Sequence, residues 1–272
     1  MPRAIDKPQI ANAYNKALDL ETAGDIDGAV AAYRDYLKLD PQDHGGAAVR
    51  LAALARGETP DKAPDLYVEV LFDQHAVAFE DILVRQLGYK VPTLVRQRLD
   101  ALELGPFKRM LDLGCGTGLA AEAMRDRVDE IIGIDISSRM IDECEDKDVF
   151  EGLYCGEVEA FLADNDEEPF DLITACDVLP YLGDLDPLFQ GAAANMVPGG
   201  ILVFSSETLQ DGAGYKVAPH HRYLHAEFYV RARLDAAGFA VIEMTDINVR
   251  MQDGAPTPGH LVVARLDAQS HG

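Results

Sequence analysis

Apolar residues recur at Ile10, Ala13, Tyr14, Ala17 and Leu18, the spacing that lines one face of an α-helix. Gly24 ends that helix. Asp25 offers a carboxylate to cap the next one, whose stripe runs through Ala29, Val30, Tyr33 and Leu37 until Asp40-Pro41 stops it. The pattern restarts near His44, with Ala48, Leu51, Ala52 and Leu54, then fades into residues 57–64, whose helix breakers and charges read as a linker. Residues 67–87 read as helical, with Gly88 as the stop, and Val95, Leu99 and Leu102 predict one more helix before Gly105-Pro106.

From Lys108 the pattern changes. Met110-Leu111-Asp112-Leu113 is a short apolar run suited to a buried parallel strand, Gly114-Cys115-Gly116-Thr117-Gly118 is a turn, and Leu119, Ala120, Ala121, Ala123 and Met124 start a helix. Strand, glycine turn and helix in that order are the first crossover of a doubly wound sheet, whose ligand crevice lies at the carboxyl ends of the strands. A second apolar strand, Ile131-Ile132-Gly133-Ile134, ends at Asp135. That is about 20 residues past the loop, where a carboxylate can accept hydrogen bonds from ribose hydroxyls; a helix-capping role is the alternative. A dinucleotide-binding loop would need a third glycine at position 119, where this chain has Leu119. The spacing here is GxGxG, which suits a nucleoside ligand without a pyrophosphate.

The run 111–118 resembles the first motif of the class I S-adenosylmethionine-dependent methyltransferases. That resemblance implies a mostly parallel, doubly wound, seven-stranded α/β sheet. It implies Asp112 and the backbone of Gly114, Cys115, Gly116 and Gly118 near the methionine portion, with Asp135 on the ribose and Ile136 as a further cofactor contact. Gly152-Leu153-Tyr154-Cys155 is similar to the third strand of the family, followed by Glu157 and Val158 where an acidic residue meets the adenine; a solvated loop carboxylate is the other reading of Glu157. Residues 170–175 are similar to the fourth strand, 176–182 to the segment beside the transferred methyl, and 201–205 to the fifth strand. Residues 239–247 and 260–265, joined through the Gly/Pro-rich run 254–259, read as a closing hairpin. The N-terminal helices are similar to a tetratricopeptide repeat. The whole layout resembles bacterial methyltransferases that carry such repeats, in which a segment like 71–80 folds over the cofactor. Phe72, His75 and Phe79 share one helical stripe, so Phe72 is a cofactor contact on that reading and core on the other.

This divides the chain into a helical region at 1–60, a linker with capping helices at 61–106, and the S-adenosylmethionine-binding domain at 107–272. His221 and His225, with Asp177, are the catalytic candidates, because histidine titrates near neutral pH and can take a proton from an acceptor. Surface hydrogen bonding is the alternative for these histidines. Asp177 also stands beside the cofactor, and Tyr181, Arg222 and Tyr223 are candidates for acceptor contacts. Residues 207–219, with Gly212 and Gly214, have the composition of a mobile cover.

Charge narrows the partners. The 272 residues carry 24 Lys and Arg against 47 Asp and Glu, a net −23, which disfavours nucleic acid through long-range repulsion. No apolar stretch approaches the roughly 20 residues of a membrane span, and the first eight residues lack a signal-peptide pattern, so a cytoplasmic location is expected. The four cysteines form no CxxC pair, and the three histidines at 220–225 have no carboxylate or cysteine at ligand spacing, so no metal is expected. The expected activity is S-adenosylmethionine-dependent methyl transfer to a small-molecule acceptor, with S-adenosylhomocysteine as product. The alternative is a binding module whose N-terminal helices recruit a protein partner, or self-associate, beside an α/β domain that senses the cofactor or methylates protein.

Overall fold

The computed structural model describes residues 7–252 and 254–267. Helix α1 (Lys7–Thr22) and helix α2 (Ile26–Leu39) form an antiparallel pair, and the Asp25 carboxylate caps α2 by accepting the Gly28 amide at 3.0 Å. Ala17, Ala29, Val30, Tyr33 and Tyr36 are buried between these helices and the short α3 (Ala47–Ala53).

Residues 61–63 lie along residues 181–184 of the C-terminal part of the chain. The Ala63 amide donates to Tyr181 O at 2.8 Å, and Asp61 O accepts from the amides of Gly183 and Asp184 at 2.7 and 2.8 Å. Helix α4 (Asp65–His75) follows. Where one helix is expected over 67–87, the chain breaks at His75 into a 3-10 turn (Ala76–Ala78) and a π-helical stretch (Asp81–Gln86). At the break the His75 ring Nδ1 donates to Leu71 O at 2.6 Å. Such π segments often mark functional positions, and Leu83 within this one is buried. Helix α5 (Val91–Ala101) completes the capping region.

The remainder alternates strand and helix: β1 (Phe107–Leu113), α6 (Leu119–Met124), β2 (Val128–Asp135), α7 (Ser138–Glu145), β3 (Gly152–Cys155), α8 (Val158–Ala163), β4 (Phe170–Ala175), α9 (Asp186–Ala194) and β5 (Met196–Glu207). A ribbon of β6 (Tyr215–Val217) and β7 (Tyr223–His225), helix α10 (Glu227–Ala236), and the pair β8 (Phe239–Gln252) and β9 (Ala255–Leu266) follow. One seven-stranded sheet has the order β3-β2-β1-β4-β5-β9-β8, parallel through β5, with β9 antiparallel to both neighbours.

Alternate residues of these strands face opposite ways. Leu111, Ile173 and Phe204 pack with α8, α9 and α10 on one face. Met110, Leu172 and Val203 pack with α5 and α6 on the other. The strand order reverses between β1 and β4, which opens a crevice at their carboxyl ends.

Two sequence expectations are corrected here. The closing hairpin is longer than 239–247 and 260–265, because residues 255–259, expected as a connection, belong to β9. Pro256 and Pro258 are tolerated because β5 pairs with β9 only as far as Gly259, so their missing N–H groups leave no gap in the ladder to β5. The expected mobile cover at 207–219 is also not what forms: Glu207, Leu209, Val217 and Ala218 are buried, and the β6–β7 ribbon packs against α3 and Ala63. No helix among the described residues is long and apolar enough to cross a membrane.

Candidate functional site

The floor of the site is the turn after β1. Gly114, Gly116 and Gly118 have φ of +61°, +55° and +83°, a region L side chains rarely adopt. At Gly114 an added Cβ would also stand 2.6 Å from Val178 Cγ2. The Cys115 amide donates to Ile134 O at 2.9 Å, which ties the turn to β2.

Two buried carboxylates flank the turn. Asp135, at the end of β2, accepts the Ser137 amide on Oδ1 and the Gly116 amide on Oδ2, both at 2.9 Å. Burial pushes its carboxyl up to about 6 against those two bonds. Ser137, not Asp135, caps α7 through its hydroxyl. Asp112 accepts the Thr174 hydroxyl on Oδ1 at 2.6 Å, while its Oδ2 is buried and has no partner. Burial raises Asp112 to about 7. An unpartnered buried carboxylate oxygen is costly unless a ligand donor meets it.

These groups line a cleft of about 910 Å³, its open mouth included. Asp112, Gly114, Cys115, Gly116, Asp135 and Ile136 line it from β1, β2 and the turn; Glu157, Val158, Asp177 and Tyr181 line it from the next crossovers. Gly118 does not line it but starts α6 in a left-handed conformation. Phe72 and Phe79 form the cover, 6.0 Å apart edge to face, with Phe72 also 5.3 Å from Tyr181. Two bonds clasp the cover to the floor: Thr117 Oγ1 to Glu80 at 2.9 Å, and Ser137 Oγ to Asp73 at 2.6 Å. At the mouth, Glu157 caps α8 by accepting the amides of Glu159 and Ala160, and Lys62 Nζ lies 3.4 Å from it. The charged lining is acidic except for Lys62.

A second cavity shares the wall made by Phe72, Phe79, Leu83 and Tyr181. A charge cluster stands at its inner end. Arg222 donates Nε to Glu207 at 2.7 Å, Nη1 to Tyr181 at 2.7 Å and Nη2 to Asp177 at 2.6 Å. Arg250 donates Nη2 to Glu207 at 2.7 Å and Nη1 to Asp177 at 3.3 Å, and His220 lies 2.9 Å from Glu207. Burial alone would raise Glu207; the His220 bond and the two guanidiniums outweigh it and hold the carboxyl at about 2. Asp177 itself sits at φ +64° with its amide on Ser205 Oγ at 3.0 Å, a strained conformation of the kind found at functional turns.

The histidine candidates lie elsewhere: neither His221 nor His225 lines either cavity. Along β7 alternate residues share a face, so Tyr223 and His225 both turn into the interior. Tyr223 donates to Pro60 O at 3.0 Å, and His225 Nε2 donates to Leu182 O at 2.8 Å while stacked on Tyr229. His221, in a left-handed turn at φ +63°, faces Arg50 at 3.4 Å and Glu21 at 4.0 Å on the N-terminal helices. Burial lowers both histidines to about 4. Of the expected acceptor contacts, Tyr181 and Arg222 reach the cavities and Tyr223 does not. Sequence reasoning missed Lys62, which sits inside the apparent linker, and Glu207 and Arg250. For Arg250 the available signal was a lone charge in the run Asn248-Val249-Arg250-Met251. Among the described residues no group of three or more His, Cys, Asp or Glu is placed to hold a metal ion.

Comparison with known proteins bears on this geometry. A ubiquinone biosynthesis O-methyltransferase from Coxiella burnetii is 32% identical over 103 residues, 36% of this chain and 43% of that protein. Trans-aconitate 2-methyltransferase from Pseudomonas aeruginosa is 30% identical over 125 residues, 45% of this chain and 44% of that protein. The chain thus spans less than half the length of these curated relatives. The crystal structure of magnesium protoporphyrin IX methyltransferase from Synechocystis with bound S-adenosylmethionine superposes with a TM-score of 0.58 at 16% identity, covering 74% of this chain and 96% of that one; at that identity the likeness speaks for the fold. The sequence model described as "Methyltransferase domain" matches residues 84–244. That span takes in the capping segment from Val84, the glycine turn, both buried carboxylates and the charge cluster except Arg250, and on it the chain belongs to the methyltransferase-domain family.

Proposed function

We propose that the chain is an S-adenosylmethionine-dependent methyltransferase acting on a small molecule. The observation that carries this reading is Asp112 Oδ2, a buried acceptor without a partner on a cleft floored by glycine backbone. Bound there, S-adenosylmethionine supplies a methyl group made electrophilic by its sulfonium. The chain's own part is to bind and align. Asp112 Oδ2 takes the ammonium of the methionine portion, and the Gly114 to Gly116 backbone lies beneath it. Asp135 keeps lone pairs beyond its two amide bonds and takes the ribose hydroxyls. Ile136 and Val158 flank the adenine, with Glu157 at its amino group. The acidic lining favours a cationic ligand.

Phe72 and Phe79 exclude water above the reacting centre, and Tyr181 and Asp177 stand where the two cavities meet. Burial pushes the Tyr181 hydroxyl up to about 12 and the Cys176 thiol well above its usual range. Neither is a ready base at neutral pH, so alignment is the larger contribution, which can amount to several kcal/mol.

The N-terminal hairpin is tetratricopeptide-like in our reading and serves as a brace. Arg50 bonds Tyr14 at 3.1 Å and Glu21 at 3.2 Å and meets His221 on the turn before β7. That packing favours bracing over recruitment of a protein partner. A cytoplasmic location completes the proposal.

Titration with S-adenosylhomocysteine tests the reading. Micromolar binding is expected, with no comparable signal from NAD. Asp135→Ala should weaken it by about 1 to 3 kcal/mol, the usual cost of lost charged hydrogen bonds; unchanged affinity would remove Asp135 from the site.

The same titration has a predicted pH dependence. The folded values of Asp112 and Asp135, about 7 and about 6, lie above the ordinary aspartate value. In the cofactor-free protein these groups therefore favour folding at low pH and lose that contribution as pH rises through 6 to 7. Ligand binding needs the ionised forms, so affinity should fall as pH drops from 8 to 5, by up to about tenfold per unit for each proton taken up. A flat profile over that range would contradict the assignment.

A further inference from the structure

The charged side chains that line the two cavities differ in sign. The cofactor cleft is lined by Asp65, Asp112, Asp135, Glu157 and Asp177 with Lys62 as its cation, whereas the charged groups lining the second cavity are Arg222 and Arg250, with no carboxylate. The whole chain carries a net charge of −23, yet two guanidiniums line this cavity. The carboxylates that hold these guanidiniums, Asp177 and Glu207, lie behind them and do not line this cavity. The bonds to Glu207, Tyr181 and Asp177 engage three of the five N–H groups of Arg222. Donors therefore remain for a ligand. The rest of the wall is mostly apolar, formed by Leu71, Ile82, Leu83, Leu87, Met251 and the rings of Phe72 and Phe79, with His75, Tyr181 and Gln252 as its other polar side chains.

Resting on the methyltransferase reading above, we infer that the second cavity holds the methyl acceptor and that the acceptor is a carboxylate-bearing molecule with an apolar body. Its carboxylate faces Arg222 and Arg250 beside Tyr181, on the wall shared with the cofactor cleft, and its body lies along the π-helical stretch. Planar guanidiniums already fixed by Asp177 and Glu207 are preorganised for a carboxylate, so little side-chain freedom is lost on binding. Gln252, whose Oε1 accepts from Arg250 Nη2 at 3.3 Å, lines the same cavity and is a neutral position beside Arg250, outside the ion pairs with Glu207 and Asp177.

The test uses the full chain saturated with S-adenosylhomocysteine and titrated with matched acids and amides: benzoate and benzamide, cinnamate and cinnamamide, octanoate and octanamide. The inference expects at least one acid to bind ten times or more tighter than its own amide. Gln252→Glu, which places a carboxylate beside Arg250, should remove that preference while the amide binds as before. Arg250→Gln should do the same if it folds, and Gln252→Glu decides the matter if it does not. Amides that bind as tightly as their acids, or acids that all fail to bind, would overturn the acceptor assignment while S-adenosylhomocysteine binding keeps the cofactor reading intact. Failure of S-adenosylhomocysteine itself to bind would overturn both.

Discussion

Glu207→Ala should lower stability by about 3 to 5 kcal/mol, the usual cost of removing one partner from a buried ion cluster, and the melting temperature by on the order of 10 °C. Glu207 is fully buried, and its loss leaves Arg250, 5% exposed, and Arg222 facing one another with Asp177 as their remaining carboxylate in the cluster. The pH argument gives a similar magnitude. A carboxyl held at about 2, against an ordinary glutamate value of 4.5, contributes about 3 kcal/mol. Because the folded value is depressed, that contribution is present above the unfolded value and is lost as pH falls from about 4.5 toward 2. Glu207→Gln separates charge from packing, since it keeps the shape but not the charge and should recover little. Thermal melts of the three proteins check this; a Gln variant as stable as the parent would show that Glu207 acts by packing alone.

Gly114→Val is the second large effect. The substitution puts a β-branched residue at φ +61°, at a cost of about 1 to 2 kcal/mol, and drives its Cβ to 2.6 Å from Val178 Cγ2, which adds about 1 to 3 kcal/mol of overpacking. Because Gly114 also lines the cofactor cleft, any folded fraction should lose S-adenosylhomocysteine binding below detection. Chemical denaturation together with titration checks both halves. A variant that keeps stability and affinity would mean that the turn is not the floor of a ligand site.

The parts of this architecture that were readable in the sequence are those whose chemistry is local. A glycine turn between an apolar strand and a helix, an aspartate ending the next strand and an Asp25 cap each depend on neighbours a few residues away. What escaped reading depends on pairing between distant segments. Arg250 reaches Glu207 and Asp177 because β8 runs on to Gln252, and that length follows from its register with β9, which prolines at 256 and 258 disguise. The histidines stand away from the cavities for a related reason. Their spacing in sequence suggested a cluster, but strand alternation turns Arg222 toward the cavity and His225 into the core, while the left-handed turn at His221 aims it at Arg50. Lys62 looked like part of a solvated linker, yet the backbone around it pairs with residues 181–184.

A crystal of the chain grown with S-adenosylhomocysteine would test the central claim most directly. The account predicts the ribose hydroxyls within hydrogen-bond distance of Asp135, the amino group on Asp112 Oδ2, and the sulfur pointing toward the wall of Tyr181. Density for the nucleoside at any other place, or a cleft that takes none at saturating concentration, would contradict it.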